Sequence, residues 1–268
     1  MRRAAALLLI TAVVSGCTGR AVVEPMPTVV WEPPPADGRF DYQLGGAYPP
    51  ASGVAIVDRD RTAQPAPGVY SICYVNAFQT QPAENAWWSA NHDDLLLRTK
   101  GDGYLTDPDW PDERILDIST DTKRAAVAGI VGQWFAGCAE RGFRAVEPDN
   151  LDSYTRSNGR LRQSDAVAYA RLLKARAHAA GLAVAQKNAP DLAGLGFDFA
   201  IAEECAVYDE CDAYRKLYGD QVYEIEYTDN GLTAYREACR AGGDRISIIL
   251  RDRDVVPVAA VGYHYEYC

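Results

Sequence analysis

The chain has 268 residues, 48% of them hydrophobic and 24% charged, the balance of a globular protein long enough for one large core or two small ones. Its formal net charge of −10 argues against nucleic acid and against docking on anionic lipid, and favours a neutral or cationic ligand.

Arg2 and Arg3 precede an apolar run, Ala4 to Val14, that is too short to span a bilayer and reads as an export signal. It ends Val14-Ser15-Gly16-Cys17, which resembles the lipobox of bacterial lipoproteins. The resemblance implies loss of residues 1–16 and lipidation of Cys17, so the protein would be extracytoplasmic, membrane-bound by its lipid alone or else secreted. Residues 17–38 hold Pro25, Pro27, Pro33, Pro34 and Pro35 without periodic patterning, as a semi-rigid spacer would. The folded domain is expected over 39–268. In an oxidising compartment the six remaining cysteines would pair, with fifteen connectivities open. Cys205 and Cys211, six apart, are the nearest pair; Cys239 with Cys268 and Cys73 with Cys138 complete one set. No Cys-x-x-Cys is present and no histidine sits beside one, so no metal is expected. No cofactor is expected either.

Eight strands are predicted along the domain. Phe40–Leu44 is halted by Gly45-Gly46, Val54–Val57 ends at Asp58, and Val69–Val75 ends at Asn76. A loop-rich insertion follows, with Trp87, Trp88, Trp110 and an extra strand at Ile115–Ile118. A helix from about Lys123 to Arg141 carries Val127, Ile130, Val131, Trp134 and Phe135 at helical spacing and stops at Gly142. The fourth strand, Ala145-Val146, runs into Glu147, Asp149, Asn150 and Asp152. A helix from Ser164, its expected N-cap, to Ala180 precedes Leu182–Ala185, which ends at Lys187-Asn188. Phe199–Ala202 ends at Glu203-Glu204, and a helix spans Cys211 to Tyr218. Val222–Ile225 ends at Glu226-Tyr227, a helix spans Leu232 to Arg240, and Ile246–Leu250 ends at Arg251-Asp252.

Alternating strands and helices predict a parallel sheet with helical cover. Eight strands predict closure into a single-domain (β/α)8 TIM barrel, with irregular first units because 45–53 and 59–68 hardly hold a helix each. No Gly-x-Gly-x-x-Gly follows the first strand, which removes the main support for a dinucleotide fold. Chemistry in such barrels sits at the carboxyl ends of the strands. So many acids at strand tips contribute nothing to stability, because like carboxylates repel and resist burial. Two carboxylic acids across a small gap are the usual means of cleaving a glycosidic bond, and Asp149 and Glu203 are the pair chosen here. Asp58, Lys187, Glu204, Glu226, Tyr227 and Arg251 would line the same mouth, and Glu147, which shares strand parity with Asp149, would line the barrel just beneath.

Several stretches then look familiar. Tyr42-Gln-Leu-Gly, Cys73-Tyr74, Val146-Glu-Pro-Asp-Asn-Leu-Asp-Ser-Tyr154, Gln186-Lys-Asn188, Phe197-Asp-Phe-Ala-Ile-Ala-Glu-Glu-Cys205, Tyr208, Cys211 and Glu226-Tyr227 resemble glycoside hydrolase family 114 from about Phe40 to Cys268. The resemblance implies a TIM-barrel endo-α-1,4-polygalactosaminidase that cleaves partly deacetylated galactosamine polysaccharide; a monomer is expected. It implies catalytic roles for Asp149 and Glu203; around that pair, sugar contacts are expected from Asp58, Tyr74, Glu147, Asn150, Asp152, Tyr154, Lys187, Asn188, Glu204, Glu226, Tyr227 and Arg251. Trp87, Trp88, Trp110, Tyr74 and Tyr154 are candidates for stacking on sugar rings. The chain departs from the family pattern at Ala202, where Asn is expected, and at Glu147-Pro148-Asp149, where Phe-Asp-Asn is expected. The first change would alter a hydrogen bond to the acid or sugar; the second adds a carboxylate near Asp149. The competing reading is a non-catalytic surface lipoprotein that binds polysaccharide or protein on a barrel scaffold.

Overall fold

The computed structural model describes residues 30–192 and 194–268; the expected signal and Cys17 lie outside them. One sheet takes its strands in sequence order: β1 (Phe40–Tyr42), β2 (Ile56–Asp60), β3 (Tyr70–Asn76), β4 (Ala145–Asp149), β5 (Ala183–Lys187), β6 (Phe199–Glu203), β7 (Val222–Tyr227), β8 (Ser247–Arg251) and β9 (Tyr265–Tyr267). The first eight are parallel, and β9 lies antiparallel to β8. Side chains rather than a named backbone ladder stitch the seam between β1 and β8. Arg251 donates to the Tyr42 carbonyl, Ser247 Oγ to that of Gly38 at 2.5 Å, and the Tyr265 hydroxyl to that of Phe40 at 2.8 Å. The result is a nearly closed eight-stranded barrel.

The helices are α1 (Asn85–Asn91), α2 (Asp121–Arg141), α3 (Gln163–Ala179), α4 (Cys211–Tyr218) and α5 (Thr233–Gly242). None lies between β1 and β2 or between β2 and β3, as the short connections require. In α2, Thr120 caps the N-terminus by accepting from the Lys123 N–H at 3.3 Å, and Gly142 ends the helix in the left-handed region at φ 99°. Val127, Val131 and Phe135, four apart, form its buried stripe. Phe135→Ala would cost about 3–5 kcal/mol through transfer and cavity terms. The expected Ser164 cap is displaced, because the Asp165 carboxylate accepts the Arg162 N–H at 2.9 Å and starts α3 two residues earlier. Ile115 and Leu116 make isolated bridges to Gln79 and Leu96 rather than a further strand.

Three disulfides form in the expected pairs. Cys73–Cys138 ties β3 to α2, Cys205–Cys211 joins the end of β6 to the start of α4, and Cys239–Cys268 ties α5 to the chain end. Each restricts the unfolded chain, an effect typically worth about 2–4 kcal/mol. Part of the expected spacer packs on the barrel base: Trp31 stacks on His178 at 3.8 Å, and the Tyr70 and Tyr223 hydroxyls donate to the Glu32 and Pro34 carbonyls.

Inside the barrel the lower layer is apolar, with Phe40, Ile56, Ile72, Phe199, Ile201, Tyr223 and Ile225. Ionisable side chains replace it above. Strand alternation sends Tyr223, Ile225 and Tyr227 inward and Glu224 and Glu226 outward. Glu226, a predicted sugar contact, is therefore buried behind β7, where it accepts the Ala206 N–H at 3.0 Å. Burial and the Glu226 charge push Glu224 up to about 8, against Arg215. Glu224 is thus neutral in the folded chain yet ionises near 4.3 once unfolded. Its contribution is complete below about pH 4 and is lost as pH rises towards 8. Glu224→Gln should match the wild type near pH 4 and exceed it by a few kcal/mol at pH 8. Urea denaturation across that range checks this; a variant no more stable at pH 8 would contradict it.

Candidate active site

Lys187 ends β5 pointing into the barrel, with 2% of its side chain exposed. Its Nζ lies 2.8 Å from Glu147 Oε1, 2.9 Å from the Tyr42 hydroxyl, 3.2 Å from Glu203 Oε2 and 3.5 Å from Asp149 Oδ1. An ammonium has three protons, so the longest of these contacts is electrostatic rather than a hydrogen bond. Burial alone pushes the Lys187 amine down, but Asp149, Glu147 and Glu203 outweigh it and hold it well above the ordinary lysine value. It stays cationic across the working pH range.

Asp149 and Glu203 sit at the ends of β4 and β6, partly open to solvent. The Tyr74 hydroxyl donates to Asp149 Oδ2 at 2.7 Å. Glu203 accepts from the Tyr227 hydroxyl at Oε1 and from Asn188 Nδ2 at Oε2, 3.0 Å away. Burial pushes the Glu203 carboxyl up, but Lys187, Tyr227 and Asn188 together bring it below the usual glutamate value. Because both acids touch one ammonium, Asp149 Oδ1 and Glu203 Oε2 lie no farther apart than 6.7 Å, the sum of the 3.5 and 3.2 Å contacts. The tyrosine hydroxyls of Tyr42, Tyr74 and Tyr227 are pushed up chiefly by burial, so each remains a donor.

The strand ends turn sharply just past these groups. Asn150, Asn188 and Glu204 each follow an inward functional side chain and occupy the left-handed region at φ 66°, 48° and 58°. Asparagine tolerates that conformation; glutamate does so less readily, at about 1–2 kcal/mol. Glu204 is held there by Arg253, whose guanidinium reaches both its oxygens at 2.9 and 2.6 Å and stacks on Tyr227 at 4.2 Å. Ala202, one departure from the family pattern, packs outward beside Cys205 and Tyr214, so it touches neither acid nor cavity.

Above Lys187 opens a cavity of about 710 Å³. Of the predicted site residues, Tyr74, Asp149, Asn150, Asp152, Lys187, Asn188, Glu203, Glu204 and Tyr227 line it. Asp58 and Glu147 lie buried beneath, because β2 continues to Asp60 and carries Asp58 at its middle. Tyr154 and Arg251 are not brought to it. A 3-10 turn at Ser153–Arg156 directs Tyr154 to Asp191 at 2.5 Å, and Arg251 is buried at the seam against Asp41 and Asp252. Trp110, 60% exposed, is on the cavity wall, whereas Trp88 is fully buried and Trp87 does not line the cavity.

The wall also holds residues that tip counting missed: Tyr42, Asp60, Asp107, Asp109, Glu113, Arg156, Arg253 and Asp254. Asp107 to Glu113 belong to the insertion after β3, whose loops carry no periodic signal. Glu113 is pushed up to about 7, by burial first and then by Asp149 and Asp107, against Asn76, which donates to Oε2 at 2.8 Å. Nine carboxyls and three basic side chains line the cavity among the described residues. Arg156 pairs with Asp107 and Asp152, and Arg253 with Glu204 and Asp229, but the carboxyls outnumber the cations, so the mouth is net negative.

The profile of glycoside-hydrolase family GH114 matches residues 21–268. The crystal structure of Aspergillus fumigatus Ega3 in complex with galactosamine is 24% identical, with a TM-score of 0.71 over 91% of this chain and 100% of that one. The glycoside hydrolase domain of PelA from Pseudomonas aeruginosa is 15% identical, with a TM-score of 0.56 over 82% of this chain and 96% of that one. These likenesses concern the fold. No curated protein matches the chain.

Removing the central cation should expose how much the carboxylates depend on it. Lys187→Met is expected to cost about 3–5 kcal/mol at neutral pH, the usual result of stranding buried charge. The deficit should shrink towards pH 5 as the stranded acids take up protons. Denaturant unfolding at both pH values tests this, and an equal deficit at the two would contradict it.

Proposed function

The chain belongs to glycoside-hydrolase family GH114 and is a glycoside hydrolase; on that premise we propose that it cleaves within α-1,4-linked, partly deacetylated galactosamine polysaccharide, using Asp149 and Glu203. The observation that carries this reading is the convergence of two carboxyls, from β4 and β6, on one ammonium at the floor of an acid-lined cavity. Ammonium groups along a deacetylated polymer are drawn to such a mouth, and each gains from meeting unneutralised carboxylates. The galactosamine present in the related fungal structure agrees with this choice. Trp110 offers an exposed ring for a sugar beyond the bond that is cut.

In the proposed reaction Asp149 attacks the anomeric carbon while Glu203 gives its proton to the departing glycosidic oxygen. Glu203 then takes a proton from water, whose oxygen displaces Asp149 and releases the second product. Retaining enzymes hold their acids about 5–5.5 Å apart and inverting ones about 6.5–9.5 Å. The 6.7 Å ceiling on the facing oxygens excludes all but the lower edge of the inverting range, and the reaction is proposed on that ground as retaining. Tyr74 and Lys187 hold Asp149 in position for attack. The first step needs a proton on Glu203, whose acidity is raised by Lys187 and Tyr227, so activity should lie towards acidic pH. Export with lipidation at Cys17 belongs to the same proposal, and three disulfides suit an oxidising compartment.

Purified protein incubated with deacetylated galactosamine polymer should release oligosaccharides. Glu203→Gln and Asp149→Asn should each lower kcat by about 10²–10⁴-fold with the fold intact. Binding without products from the unmutated protein would sink the hydrolytic reading on this polymer. Tyr227→Phe tests the roles separately. Loss of that donor raises the Glu203 pKa, so the alkaline limb of kcat/KM moves to higher pH if Glu203 is the acid. Movement of the acidic limb instead would assign Glu203 as nucleophile.

A further inference from the structure

Beneath the reacting pair lies a carboxyl that the proposed chemistry does not use. Asp58 faces into the barrel from the middle of β2 and is fully buried, and no side-chain donor meets either of its oxygens, the Arg59 backbone N–H being the one donor that acts on it. Glu147, equally buried, spends Oε1 on Lys187 at 2.8 Å and on the Tyr42 hydroxyl at 3.0 Å, while its Oε2 also has no donor. Asp58 lies beside Tyr42 in the β1–β2 register, and the Tyr42 hydroxyl meets Glu147, so the two acids face the same enclosed space. A pair of carboxylate anions has acceptors only, so any hydrogen bond between them requires a proton. Leaving both ionised would also bury two like charges, whose desolvation one shared ammonium does not offset.

The surroundings decide which acid carries the proton. Glu147 has an ammonium and a tyrosine hydroxyl within bonding distance, and both favour its anion. Asp58 has neither so close. Its burial and the Glu147 charge push it well above the ordinary aspartate value, while the more distant Lys187 only partly opposes this. The other titratable groups on the surrounding strands are Tyr42 on β1, Tyr74 on β3, Asp149 on β4, Glu203 on β6 and Tyr227 on β7. None offers Asp58 a compensating positive charge, and Arg251 of β8 is spent on Asp41 and Asp252.

We propose that Asp58 and Glu147 hold one proton between them, with Asp58 the neutral donor, and that Asp58 is a positioning residue acting through Glu147 on the Lys187 ammonium. The inference rests on Asp149 and Glu203 being the reacting pair, because their geometry is what Lys187 sets. With Asp58 donating, Glu147 Oε2 is satisfied and Oε1 holds Lys187 level with both acids. Without that donor, Glu147 is an uncompensated anion that draws Lys187 downward and away from Asp149 and Glu203. Glu203 then loses part of what holds its pKa down.

The chain has five lysines, so an ¹⁵N-lysine-labelled sample gives a small set of ammonium signals, with that of Lys187 assigned by its loss in Lys187→Met. Asp58→Asn keeps a donor of the same shape. It should preserve the position and slow exchange of the Lys187 signal at pH 7, with kcat within about tenfold of wild type. Asp58→Ala removes the donor. It should shift the signal, speed its exchange, lower kcat by about 10²-fold with little change in KM, and move the alkaline limb to higher pH. Equal effects of the two variants, or none from either, would overturn the inference. If Asp58→Ala does not fold, the Asp58→Asn signal decides alone: one altered at pH 7 means Asp58 is normally ionised. These signals need no substrate. A response confined to Asp58→Ala in a protein that does not cut the polymer would uphold the shared proton and refute the proposed function instead.

Discussion

A single buried ammonium organises the upper half of this barrel. Lys187 would be costly to bury alone, and Glu147, Asp149 and Glu203 would be costly to gather without it. Together they make a cluster in which each charge stabilises the others, and the low local dielectric strengthens every contact. The protein fold supplies the meeting point: alternate residues at the ends of β4, β5 and β6 face one axis, although they are far apart along the chain. The lower barrel is filled by aromatic and branched side chains and provides the rigid base on which this polar layer rests.

The remaining acids serve different ends according to where strand alternation sends them. Those of the same strand can be separated by the sheet itself: in β7, Tyr227 reaches the cavity while Glu224 and Glu226 lie behind it, near the Cys205–Cys211 disulfide. The acids of the cavity wall instead remain open to solvent and to a cationic ligand. Their charge is incompletely neutralised because nine carboxyls face only three cations, all of them already in ion pairs. Burial depth, more than sequence position, therefore decides whether a carboxyl here acts as a neutral structural donor, as an anion for chemistry or as an attractant.

Much of this was legible from apolar periodicity. The eight parallel strands, the irregular first units, helices α2 to α5 and the Cys205–Cys211 pair follow from pattern and spacing, whereas the other two disulfides are one choice among connectivities that spacing leaves open. The systematic difference lies at the strand ends. Reading each strand as ending at its first charge places Asp58, Lys187, Glu226 and Arg251 on loops, whereas the ladder continues through them. Apolar runs cannot reveal that a charge inside a strand is paired across a barrel. They also give no warning that Arg251 is consumed in closing the seam. The acids contributed by the insertion after β3 are invisible for another reason, since that stretch has no periodic pattern and acquires its place only by packing over the mouth; Trp110 could be singled out there by residue type alone. Glu147 was noticed as an extra carboxylate near Asp149; its burial against both Asp58 and Lys187 needed the third dimension.

The account stands or falls on where a sugar sits relative to Lys187. A crystal structure of Glu203→Gln with a galactosamine oligomer tests this most directly. The account predicts a ring directly over the ammonium, its anomeric carbon within reach of Asp149 and the linking oxygen beside residue 203. An oligomer bound elsewhere on the barrel, or one whose linkages all lie beyond reach of both side chains, would contradict it.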